Sequence, residues 1–165
     1  MLSVFLDRAR VAADCLGELL ETTTADALGP QYHLLALTHL AWAKEQLGEA
    51  DQAFDLRQRA AHAAERAREL QPNSEILAYE EAVALSSLGY QDRAVEVLGE
   101  SVAMGRRDVG LMANDRRLDG LRGHRAFEAL MQRLQKEQAT MRQQVLTRYP
   151  EAGIVDVRHF GSPLH

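Results

Sequence analysis

The six histidines, at 33, 39, 62, 124, 159 and 165, are the first residues in this chain that could ligate a metal or move a proton. Two ligands on one helix must lie three or four residues apart if both imidazoles are to leave the same face. No two histidines have that spacing. His33 and His39, six apart, diverge by about 240° around a helix. Glu80-Glu81 could share acid–base work, but nothing near them in sequence would drive their proton affinities apart, and they read as a solvated helix face. Cys15 lies in the run Val11-Ala12-Ala13-Asp14-Cys15-Leu16 with no histidine beside it, so a small buried thiol is expected rather than a nucleophile. Gly105-Arg106-Arg107-Asp108-Val109-Gly110 is spaced like a phosphate loop but lacks the Lys-Ser/Thr that must follow. No catalytic residue, metal or cofactor is therefore expected, and the chain is not read as an enzyme.

Charge offers a different chemistry. Residues 1–105 carry 8 basic and 17 acidic side chains, whereas residues 106–148 carry 10 basic and 5 acidic. The two segments should attract each other in the fold. The other use of the basic segment would be nucleic-acid binding through Arg106, Arg107, Arg116, Arg117, Arg122 and Arg125. No aromatic residue interleaves these arginines to stack on bases, which disfavours nucleic acid as a partner. A single cysteine excludes an intrachain disulfide. No apolar run approaches the ~20 residues that span a membrane, and the first residues lack a signal-peptide pattern. A cytoplasmic protein without a membrane partner is expected.

The elements that position these side chains are helices. Alanine, leucine, arginine, glutamate and glutamine dominate, aromatics make up 5% and there are four prolines; the dominant types lose little side-chain entropy in a helix. Apolar residues recur with helical period over 3–22 (Val4, Leu6, Val11, Cys15, Leu16, Leu19, Leu20), 31–47, 50–71, 74–88 and 91–104. Residues 105–123, punctuated by four glycines, read as a loop holding short helical turns. A long helix, 124–148, carries Phe127, Leu130, Met131, Leu134, Met141 and Val145, with Gln138 interrupting the stripe. The expected organisation is one helical domain over 1–148 and a tail, 149–165, extended or docked.

Two stretches repeat. Leu47-Gly48-Glu49-Ala50-Asp51-Gln52-Ala53-Phe54 and Leu88-Gly89-Tyr90-Gln91-Asp92-Arg93-Ala94-Val95 both read Leu-Gly-x-x-Asp-x-Ala-hydrophobic. Glycine ends one helix, aspartate favours the positive end of the next, and alanine lets the two pack closely. With Ala60 and the ending Leu70-Gln71-Pro72-Asn73, these turns resemble the tetratricopeptide repeat family over residues 31–105. The glycines are 41 residues apart against a family period of roughly 34, and the surplus is placed in the helix 50–71. Ser101 stands where the family often has alanine. Asp115, Arg117, Asp119, Leu121, Arg122, Phe127 and Leu130 are similar to the closing segment of bacterial tetratricopeptide arrays, although Arg116, Gly120 and Arg125 replace its prolines.

The resemblance implies an all-α fold of antiparallel helix hairpins, stacked as a short solenoid with a long C-terminal helix. It also implies a non-catalytic scaffold that binds a protein or peptide in a bacterial regulatory or assembly system. The binding groove would lie on the first helix of each hairpin, lined by Leu35, Thr38, Trp42, Glu45, Ile76, Tyr79, Val83 and Ser86. Trp42 and Tyr79 would be its anchors. Arg117, Asp119 and Arg122 would tie the glycine-rich loop to its neighbours. The alternative function is an oligomerising structural protein that forms a homodimer through helix 124–148.

Overall fold

A computed structural model describes residues 2–149, with side chains from Leu6 onwards. The tail from Pro150, expected to be extended or docked, lies outside the described residues. Those described fold as helices and contain no strand. In chain order they are α1 (Leu2–Thr22), α2 (Ala25–Leu28), α3 (Pro30–Gln46), α4 (Ala50–Leu70), α5 (Glu75–Ser87), α6 (Gln91–Ala103), α7 (Val109–Asn114), a 3-10 segment (Arg116–Leu121) and α8 (Arg125–Arg148). The short α2, capped by the Thr24 hydroxyl, lies where the sequence reads only a break.

Hairpins α3–α4 and α5–α6 turn at Gly48 and Gly89, whose φ angles of 78° and 88° need a residue without a Cβ. Each turn closes with the same pair of bonds. Gly48 N–H donates to Glu45 O and Glu49 N–H to Lys44 O; Gly89 N–H donates to Ser86 O and Tyr90 N–H to Leu85 O. This is the Schellman arrangement, which satisfies carbonyls that the helix end would leave bare. Gly105 and Arg106 close α6 in the same way on Val102 and Ser101. The second helix of the first hairpin is the longer of the two: α4 has 21 residues and α6 has 13.

Two apolar cores share one wall. The first joins α1, α3 and α4 to Leu77 and Ala84 of α5. The second joins Ala78, Tyr79, Ala82 and Val83 of α5 to α6, α7, the 3-10 segment and α8. Helix α5 is therefore buried around nearly its whole circumference, with Glu80 and Ser86 among its buried residues. In α4 the buried face is Leu56 and five alanines, which let the neighbouring backbones approach closely. Ala53 and Ala94, at equivalent places in the two hairpins, are fully buried. Ser101 is buried too, and its hydroxyl donates to the Glu75 carbonyl at 2.7 Å.

Helix α1 departs from the expected single stripe. Ala9, Ala13, Leu16 and Leu20 turn inward toward α3, whereas Val11, Cys15 and Leu19 are exposed. Cys15 is thus a surface thiol, not a buried one; it lies about a third of a turn away from the alanine face. Helix α8 docks through Phe127, Leu130, Met131 and Leu134, then outruns the body, with Met141 and Val145 about half exposed.

Candidate functional site

A cavity of about 350 Å³ opens between α3, α4, α5 and the 3-10 segment. Helix α3 contributes Thr38, Trp42, Glu45 and Gln46, α4 contributes Arg57, α5 contributes Val83, Ser86 and Ser87, and the 3-10 segment contributes Arg116, Arg117, Asp119 and Gly120. Of the eight residues expected in a groove, Thr38, Trp42, Glu45, Val83 and Ser86 are brought together here. Leu35 and Ile76 are half-buried and do not line the cavity. Tyr79 is 1% exposed and belongs to the second core.

The floor of the cavity is a buried ionic network. Glu80 is 3% exposed and accepts from the Thr38 hydroxyl at 2.7 Å and from Arg117 Nη1 at 2.8 Å. Arg117 Nη2 reaches Asp115 Oδ2 at 2.7 Å and Arg117 Nε reaches Asp115 Oδ1 at 3.0 Å. The Tyr79 hydroxyl donates to Asp115 Oδ2 at 2.8 Å, and Arg106 lies 3.9 Å above the Tyr79 ring, a cation–π contact. Burial alone would raise the Asp115 pKa, but the bonds and charge of Arg117, backed by the Tyr79 hydroxyl, hold it below the ordinary carboxylate range. Burial also pushes the Tyr79 phenol up, and the negative Asp115 pushes it further. Arg117 keeps its proton more firmly than usual, because Asp115 and Glu80 overcome its desolvation.

Glu80 is therefore not on a solvated face. The cation that permits its burial comes from Arg117, 37 residues later, and spacing within α5 gives no hint of it. Glu81 is half-buried, with Arg68 at 3.6 Å. Burial raises its pKa against the pull of Arg68.

The charge imbalance between the two segments is thus partly used inside the fold, where Arg117 meets Glu80 and Arg106 covers Tyr79. Arg107 donates to the carbonyls of Val102 and Arg106. Arg122 pairs with Asp119 at 2.6 Å and donates to Ala113 O. That pair is exposed and ties the loop only weakly, by about 0–1 kcal/mol, so Arg117 carries most of the tie.

Gly120 brings the 3-10 segment against α5. A Cβ there would lie 3.1 Å from Ser86 Oγ and 3.3 Å from Ser86 O. Glycine thus permits a close approach that a side chain would obstruct. The Ser86 hydroxyl is buried, lines the cavity and has no hydrogen-bond partner. Glu45 and Arg57 pair across the cavity mouth at 2.6 Å. The site offers a half-buried indole, an uncommitted buried hydroxyl and a mixed-charge rim. Such a set can hold and orient a polar–apolar ligand.

Comparison with protein-family models, curated proteins and solved structures gives no match. Among the described residues no group of three His, Cys, Asp or Glu side chains converges as a metal cage, and no helix is long and apolar enough to cross a membrane. Sequence reasoning missed Arg57, Gln46 and the 3-10 residues as parts of the site. The available signal was the pattern of Asp, Arg and Leu over Asp115–Leu121, whose acidic and basic side chains pair with α5 and with each other.

Proposed function

We propose that the chain is a tetratricopeptide-type scaffold module that binds a protein or peptide segment in the cavity around Trp42 and performs no catalysis. One observation carries this reading: the cavity lies between α3 and α5, the first helices of successive hairpins, where solenoids of this kind present their ligand surface. The buried carboxylates beneath it support the non-catalytic part, because Glu80 and Asp115 are saturated by Arg117, Thr38 and Tyr79. Trp42 is the sole tryptophan, so its emission reports on the cavity directly. Peptides selected from a displayed random library on the full chain should shift that emission. They should bind Trp42→Ala at least about tenfold more weakly, the range of an interfacial aromatic anchor, while circular dichroism shows the variant still folded, at a lower melting temperature because Trp42 also packs on the first core. Selected peptides that leave the emission unchanged and ignore Trp42→Ala would place the ligand elsewhere.

The exposed half of α8 favours a second reading, an oligomerising structural protein. Met141 and Val145 lie four residues apart on its uncovered side. Changing both to lysine should abolish self-association if α8 mediates it and leave it intact if α8 does not. Light scattering across a concentration series distinguishes the two.

A further inference from the structure

The cavity beside Trp42 also specifies what kind of group enters it, an inference that rests on taking that cavity as the ligand site. Its volume, about 350 Å³, lies near the lower end of the range of about 300–1,000 Å³ typical of small-molecule sites. It has room for one large side chain of a ligand, not for a folded segment. Part of its wall is apolar, formed by Ala41, Trp42, Ala60 and Val83. An apolar body must fill that part, because a polar one would lose water there without gaining a partner.

The charges around the cavity are already matched. Arg57 pairs with Glu45 at 2.6 Å and Asp119 with Arg122 at 2.6 Å. Arg117 is held between Glu80 and Asp115, and Arg116 is engaged as well. A charged ligand group would exchange one ion pair for another, with no net gain, and would give up its hydration to do so. Two neutral polar groups of the lining are uncommitted among the described residues. Ser86 is 5% exposed and its hydroxyl has no partner. The carboxamide of the half-buried Gln46 makes no hydrogen bond among the described residues. Each can donate and accept. The cavity thus suits an apolar ring with one neutral hydrogen-bonding tip. We infer that it receives the phenol of a tyrosyl side chain of the ligand, with the ring on the apolar wall beside Trp42 and the hydroxyl bonded to Ser86. A phenylalanyl ring would leave the Ser86 hydroxyl unanswered, and a phosphotyrosyl or lysyl group would bring a charge that no unpaired counterion meets.

Side-chain analogues test this on the full chain, read through the indole N–H of Trp42 in nitrogen–proton NMR spectra, since Trp42 is the sole tryptophan. Para-cresol, the tyrosine side chain, should shift that signal saturably in the millimolar range expected of so small a ligand. Toluene should bind about three- to tenfold more weakly, the range of one neutral hydrogen bond. Para-cresyl phosphate and para-methylbenzylammonium should leave the signal in place. Ser86→Ala should remove the preference, lowering the affinity for para-cresol to that for toluene and leaving toluene unchanged. Circular dichroism melts of this variant should match the parent, because no described side chain depends on that hydroxyl. Toluene that binds the parent as tightly as para-cresol overturns the inference. So does tighter binding of either charged probe, an indole signal that no probe moves, or a preference for the phenol that survives Ser86→Ala. Peptides selected on the full chain separate this inference from the scaffold reading. Peptides that need Trp42 but bind unchanged after every tyrosine is replaced by phenylalanine overturn the tyrosyl anchor and leave the scaffold reading standing. Peptides that need Trp42 and lose about three- to tenfold on replacement of one tyrosine by phenylalanine support both.

Discussion

Arg117→Ala should destabilise the protein by about 3–5 kcal/mol, the cost of leaving buried charges without their partner. Glu80 would retain only the Thr38 hydroxyl, and Asp115 only the Tyr79 hydroxyl and the backbone N–H of residue 117. Denaturant unfolding of the full chain measures the loss. Adding Glu80→Gln to Arg117→Ala should recover part of it, because a neutral amide removes one uncompensated charge. The same substitution into the parent should destabilise, because it removes a partner from Arg117. Acid gives a second signature. The native Asp115 pKa lies below that of the unfolded chain. Its stabilisation is therefore complete above the ordinary aspartate value of about 3.9 and declines as pH falls toward the native value. In Arg117→Ala, burial is left to act on Asp115 without the opposing cation, so the folded carboxyl binds its proton more readily and acid relieves the penalty. The gap between parent and variant should narrow as pH falls. A pH-independent gap would mean that Arg117 acts through packing of its stem.

Ala94→Phe should cost about 1–3 kcal/mol or more through overpacking. Ala94 is fully buried within the second core, near the start of α6. A ring there must displace α6 or force neighbouring side chains from their rotamers. Ala53→Phe, at the same place in the first hairpin, should behave alike. Phe54→Ala is the control, because Phe54 is 50% exposed and its loss should stay within about 0.5 kcal/mol. Thermal melts check all three, at about 2–4 °C per kcal/mol for a chain of this size. Equal melting temperatures for Ala94→Phe and Phe54→Ala would contradict the packing of the hairpin.

The hairpins were legible because their signals are local. Leu47-Gly48 and Leu88-Gly89 mark a left-handed turn that only glycine accepts cheaply, and Asp51 and Asp92 mark the start of the helix that follows. The exposed half of α8 could be anticipated from Gln138. The site was only half legible, because its other half depends on contacts between distant residues. Thr38, Trp42, Glu45, Val83 and Ser86 follow from the face that a first helix presents. Tyr79 was misplaced because α5 is enclosed on nearly every side, so no register on it guarantees access to solvent. Its run Ala78-Tyr79 followed by Ala82-Val83-Ala84 carried that warning. Glu80 could not be read as buried until Arg117 was in place. Cys15 was read with the inner stripe of α1 because both faces of that helix carry apolar residues, and period alone cannot separate them.

The double duty of α5 bears on how the molecule comes apart. In a simple array each repeat touches only its neighbours, and the ends can fray while the middle persists. Here one helix lines both cores, and through Glu80 and Tyr79 it also engages Arg117 and Asp115 from beyond the second hairpin. Opening either core strips one side of α5, and opening the second also severs the charge network. The amide protons of α5 should then exchange with solvent only when the whole body unfolds, while those of α1 and the outer half of α8 exchange through smaller local openings. The hairpins would behave as a single foldon centred on one helix.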